Sequence, residues 1–306
     1  MPTVSLRALL AHSIDYAGMF PPCSLALEPA LRNHAEYVRS PEAWVLNTFV
    51  LSIGQFDAAG ESLSLFERQH PLRISALGSK AATSDHFIAG LKIAADKIRS
   101  VCAQHAGLVW VDQLETTLPP DADLGLLGKI TSILDGFDLQ TFWEAPANLA
   151  EETIALLAAR NPATVQRQFG VKLRTGGVTA DAFPTSRQIA RVLVAAAKAR
   201  LPIKFTAGLH HPIRQFREEV QTEMHGFLNV LGAAVLTAEH GWNEEQTAEM
   251  LEDENAASFL FEDESFAWRE WKIATDRIKE RRKFVTSFGS CSFDEPREDL
   301  RALGLL

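Results

Sequence analysis

The chain has 306 residues, 46% of them hydrophobic, and a net charge of -9. That length fits one large α/β barrel or two ordinary domains. The acidic balance and the lack of a long basic run argue against a nucleic-acid partner, which needs clustered Lys and Arg. No run of about 18 apolar residues occurs, so no membrane span is expected.

The opening MPTVSLRALLAHSIDYAG lacks a long apolar run and a small-residue cleavage site, so no signal peptide is read. Cys23, Cys102 and Cys291 are far apart in sequence, with no metal-type spacing, and fit a reducing cytoplasm.

Taken in order, strand candidates alternate with helical stretches. Residues 13–20 form the first strand, stopped by Pro21-Pro22 and followed by a helix near Leu27 to Val38. Residues 44–51 are the second. Residues 72–77 are the third, followed by a long amphipathic helix, 86–104. The fourth is 108–114, and the fifth is 139–144, closed by Ala145-Pro146. The sixth, Val171-Lys172-Leu173-Arg174, ends on Thr175-Gly176-Gly177. Thr185-Ser186-Arg187-Gln188 then opens a helix with Ile189, Val192, Leu193 and Ala196 at helical spacing. The seventh strand, 201–206, ends on Ala207-Gly208-Leu209-His210-His211-Pro212. Residues 213–239 read as mostly helix, because Phe227, Leu231, Ala234, Val235 and Ala238 share one face. The eighth strand is placed at 257–262 and a final helix at 268–283, leaving a non-helical C-terminal tail from Ser287.

Eight alternations at this length predict a single (β/α)8 TIM-type barrel over residues 1–306, with a helical insertion before the last strand. An open doubly wound sheet is the alternative, but no glycine fingerprint follows the first strand. In a barrel the functional residues sit at the C-terminal ends of the strands. Those ends carry Asp15, Asn47, Asp112, Glu115, Glu144, Lys172 and Arg174, then Lys204, Thr206, His210 and His211.

Lysine is a poor residue for a buried strand. Two lysines at matching places in consecutive strands therefore point to a site. Alternation puts Lys172 with Arg174, and Lys204 with Thr206, on common faces. A lysine attacks a carbonyl only when unprotonated, and a neighbouring cation with partial burial lowers its pKa. Asp112 and Glu144 are placed to relay protons. Arg174 is placed to hold a substrate carboxylate or phosphate. Thr206, His210, Asp15 and Asn47 complete the expected substrate contacts.

The Lys-Leu-Arg-Thr-Gly run at 172–176, with Lys-Phe-Thr-Ala-Gly at 204–208, resembles the class I deoxyribose-phosphate aldolases. The resemblance implies that Lys172 is the Schiff-base lysine and that Lys204 depresses its pKa. It further implies that Asp112 is the fourth-strand relay aspartate, and it extends to Ile14-Asp15 and Trp143-Glu144-Ala145. It covers about residues 169–210. The family's Gly-x-Ser-Ser phosphate loop has no counterpart near 257–262, which leaves a phosphorylated sugar unsupported as substrate.

Three readings stay open. The first is an aldolase-like lyase acting on a small anionic carbonyl compound without a cofactor. The second is a metal-dependent hydrolase or isomerase using His210 and His211, with Glu223 and His225 nearby. The third is a barrel that binds a small acid without catalysis. Adjacent histidines on extended backbone point in opposite directions, so no bound metal is expected. The bland reading of the lysines is an internal salt-bridge network, for instance Lys172 with Glu144. A homo-oligomer is compatible with all three.

Overall fold

The structure is a computed structural model, and it describes residues 1–160 and 169–306. Eight short runs rich in Val, Ile, Leu and Phe pair side by side in parallel. They are β1 (Ile14–Tyr16), β2 (Leu46–Ser52), β3 (Leu72–Leu77), β4 (Val109–Thr116), β5 (Gln140–Ala145), β6 (Gly170–Arg174), β7 (Ile203–Thr206) and β8 (Val285–Ser290). The sheet closes on itself, with β1 paired to both β2 and β8. This is the (β/α)8 barrel expected from the alternation. Helices cover its outside, so most strands are buried on both faces, as parallel strands require.

Helix Ser186–Ala199 shows why these segments fold as they do. The Thr185 hydroxyl accepts from the Gln188 backbone N–H and the Gln188 side chain accepts from the Thr185 N–H, forming a capping box. Ile189, Val192, Leu193 and Ala196 face the sheet and are fully buried. The helix stops at Arg200, in the left-handed conformation.

The end of the chain departs from the expected order. Residues 259–261 do form a strand, but it pairs antiparallel with Ser265–Trp268, which pairs with Trp271–Ala274 outside the barrel. Leu260 points to solvent there, whereas a barrel strand is covered on both faces. The true eighth strand is Val285–Ser290, which runs into the start of the stretch read as a non-helical tail. The predicted helix over 268–283 shortens to Thr275–Arg281, and a last helix, Asp294–Ala302, follows β8. The insertion after β7 begins as a hairpin, Gln215–Arg217 with Thr222–Met224, before helix Phe227–His240. Among the described residues no helix is long and apolar enough to cross a membrane.

Candidate active site

At its upper end the barrel interior is polar. Register pairing sets Glu144 beside Lys172 and Lys172 beside Lys204 on β5, β6 and β7. Strands about 4.8 Å apart then force the three charged groups together. The Lys172 Nζ lies 2.7 Å from Glu115 Oε2 and 2.9 Å from Glu144 Oε2. The Lys204 Nζ lies 2.5 Å from Glu115 Oε1 and 2.7 Å from Asp15 Oδ2, and it donates to Gln113 Oε1 at 2.5 Å. One carboxylate, Glu115, therefore bridges both lysines.

The remaining lone pairs are filled from neighbouring strands. Asp15 accepts from Asn47 Nδ2 (2.7 Å), Thr48 Oγ1 (2.6 Å) and Ser287 Oγ (2.5 Å). Ser75 donates to Glu115. Asp15, Glu115 and Lys204 are almost fully buried, and Lys172 is 6% exposed. Such charges persist in a barrel only when each is paired and hydrogen-bonded.

The charges reinforce one another. Burial alone would raise Glu115, but Lys172 and Lys204 outweigh it and hold the carboxyl far below the usual range. Glu144 is likewise held low by Lys172, against burial. Burial alone would lower Lys172, yet Glu115 and Glu144 push its amine above the ordinary value. The expected depression of Lys172 by Lys204 is therefore reversed: the facing carboxylates decide the sign.

Above this network opens a cavity of about 500 Å³. Lys172, Lys204, Glu115 and Glu144 form its base, and Arg174, Thr206 and His210 also line it. Lys80, which the sequence did not single out, adds a cation at the rim. The Arg174 guanidinium is half exposed and 3.5 Å from Glu144 Oε1. At the end of β7, Ala207 and Gly208 both adopt positive φ, and Thr175 Oγ1 donates to the Ala207 carbonyl at 2.6 Å. A Cβ on Gly208 would lie 2.8 Å from the Gly176 Cα, so the Thr-Gly and Ala-Gly turns of β6 and β7 need those glycines to pack.

Other expected residues fall elsewhere. Asp112 turns away from the lysines and pairs with Arg73 Nε at 2.8 Å. The β3–β4 register slips by one residue between Ile74–Val111 and Ser75–Gln113, and Asp112 is the extra residue. Glu115 and Gln113 hold the place intended for it. Asp15 and Asn47 do not line the cavity: Asp15 supports Lys204 from below, and Asn47 bonds to Asp15.

His210 and His211 are occupied by the last helix, and His225 by the loop before helix Ser186–Ala199. His210 Nδ1 is 3.1 Å from Glu295 and His211 Nδ1 is 2.6 Å from Asp299. His225 Nε2 donates to the Pro184 carbonyl at 2.8 Å, and Asn229 is buried against Met250 and Asp253 carbonyls. Among the described residues no three His, Cys, Asp or Glu side chains are grouped to hold a metal ion.

No family model and no curated protein matches the chain. Among solved structures it is similar to a D-psicose 3-epimerase determined in the presence of D-fructose, with a TM-score of 0.42 and 9% identity over 74% of this chain and 82% of that one. It is also similar to atrazine chlorohydrolase TrzN from Arthrobacter aurescens TC1 complexed with zinc, with a TM-score of 0.31 and 12% identity over 65% of this chain and 54% of that one. The barrel stands on its own closed strand order rather than on these likenesses.

Proposed function

We propose that the chain is a class I aldolase-like lyase in which Lys172 forms a Schiff base with a small anionic carbonyl substrate. The supporting observation is the Lys172 amine at the base of an open cavity, clasped between Glu115 and Glu144, with Lys204 on the far oxygen of Glu115.

Lys172 rests as an ammonium, so the first step is loss of a proton. Glu144 is the acceptor, since Glu115 is pinned as an anion by Lys204. A substrate anion recruited by Arg174 and Lys80 competes for the guanidinium that now faces Glu144, leaving that carboxylate more basic. Water expelled by the substrate disfavours the ion pair further and favours neutral amine beside neutral acid. The amine then adds to the carbonyl carbon. Glu144 returns the proton to the carbinolamine hydroxyl, water leaves, and the protonated imine accepts electrons when the adjacent C–C bond breaks or forms. Lys204 keeps Glu115 ionised and in place.

The test is borohydride trapping with glyoxylate, pyruvate, acetaldehyde and glyceraldehyde 3-phosphate, with mapping of the adduct by mass spectrometry. Reduction should label Lys172 above all surface lysines, and Lys172→Ala should lose the label. Trapping should quicken as pH rises, because the neutral amine is the reactive form. Glu144→Gln should slow trapping by about 10²-fold or more. Lys204→Leu is a poorer probe, since it strips Asp15 and Glu115 of a partner. Labelling of Lys172 no stronger than that of surface lysines would overturn the reading and leave the network as an anion-binding barrel.

A further inference from the structure

Two cysteines that are 268 residues apart in sequence meet at the cavity rim. The Cys23 Sγ and Cys291 Sγ are 2.9 Å apart, and neither is in a disulfide. Cys23 is exposed, in the turn that joins β1 to helix Leu27–Tyr37. Cys291 is buried and directly follows β8. The backbones are already fixed beside one another. Tyr16 pairs with Ser290, the Ala17 N–H donates to the Ser290 carbonyl at 2.7 Å, and the Leu25 N–H closes the turn on the Gly18 carbonyl at 2.9 Å. Phe20, Pro21 and Pro22 of that turn line the cavity, as does Cys291.

We propose that Cys23 and Cys291 form a reversible disulfide that ties the turn after β1 to the end of β8 and fixes that side of the cavity rim. A bonded pair sits at about 2.05 Å, so the sulfurs need approach by less than about 1 Å. The exposed Cys23 is the thiol that a small disulfide such as oxidised glutathione reaches. Its sulfur attacks the disulfide, forms a mixed disulfide and releases one reduced glutathione. The Cys291 sulfur, after losing its proton to water, attacks the Cys23 sulfur and releases the second. Two protein thiols are oxidised, and one glutathione disulfide is reduced to two thiols. Burial, and then the neighbouring Cys23, push the Cys291 thiol up to about 12, so this second step runs faster as pH rises through the neutral and alkaline range. Nothing here depends on the chemistry at Lys172.

The experiment treats the full chain with oxidised glutathione at mildly alkaline pH, blocks remaining thiols, and measures intact mass, linked peptides and amide exchange. Before blocking, the expected product is lighter by about 2 Da per chain; it carries a Cys23–Cys291 linked peptide and takes up the blocking reagent only at Cys102. Dithiothreitol should restore all three thiols. Cys291→Ser should stop at a glutathione adduct on Cys23, and Cys102→Ser should behave as wild type. Amide exchange over residues 17–25 should slow in the linked form. A persistent glutathione adduct on Cys23 in the wild-type chain, or a link through Cys102, would overturn the disulfide. A Cys23–Cys291 link with unchanged exchange over 17–25 would overturn its role at the rim.

Discussion

Glu115 accepts from both lysines, and the order of the site depends on it. With the amide of Glu115→Gln, two buried lysines face a neutral group, while Lys172 keeps Glu144 as its carboxylate partner and Lys204 keeps Asp15, with the neutral Gln113 beside it. Breaking a buried pair of this kind costs about 3–5 kcal/mol. Urea denaturation of Glu115→Gln should show a midpoint well below wild type, and Glu144→Gln a smaller drop because Glu144 is partly hydrated. A Glu115→Gln midpoint equal to wild type is incompatible with one carboxylate serving two amines. The same residue marks the limit of sequence reading. Lys172 and Lys204 were legible because a charge in an apolar strand is conspicuous. Glu115 is equally conspicuous in the run from Val109 to Thr116, but Asp112 shares that run, and only the one-residue slip against β3 decides which of them reaches the lysines. A slip of that kind leaves no mark in composition or periodicity.

At the scale of elements, β6, helix Ser186–Ala199 and β7 were all legible, because turn, cap and apolar spacing agree there. Removing the cap tests that agreement. Thr185→Ala takes away the acceptor for the Gln188 N–H and should lower unfolding free energy by about 1 kcal/mol, measured by urea denaturation. Trapping at Lys172 should be unchanged, since Thr185 does not line the cavity. β8 was not legible, for a reason tied to the site. Its Ser287 points inward to bond Asp15, and Gly289 pairs in register with Asp15 and Thr206. A strand that serves a buried charge network is built from small polar residues and so reads as a turn. The antiparallel strand at 259–261, rich in Phe and Leu, took its place in the sequence reading for the opposite reason.

The whole barrel was recognisable by its repeat count, while its stability is set by buried groups whose pH dependence follows from their surroundings. Glu115 and Glu144 are held below the ordinary value of 4.5, so their contribution is present above that pH and is lost as pH falls through their lowered values. Lys172 is held above 10.5, so its contribution is present below that pH and is lost as pH rises through the raised value. Both losses lie outside the neutral range.

A histidine brings the acid loss nearer to neutral pH. His34 is 1% exposed, stacked on Tyr16 at 6.1 Å and packed against Phe49 at 5.3 Å. Among the described residues neither ring nitrogen has a hydrogen-bond partner. Burial pushes the ring down to about 3 from 6.5. His225 is pushed down to about 4 by burial, partly opposed by its bond to Pro184. Between pH 3 and pH 6.5 the unfolded chain binds a proton that folded His34 refuses, so stability falls as pH drops through that window. For His34 alone the loss between pH 6.5 and pH 5 is about 2 kcal/mol. His34→Phe fills the same aromatic pocket with a ring that does not titrate. Its melting temperature, measured against wild type from pH 7 to pH 4, should gain on wild type steadily as pH falls. Below the carboxylate range both proteins should lose stability together through Glu115. A melting difference that stays constant from pH 7 to pH 4 would show that His34 is hydrated, or already charged, in the folded barrel.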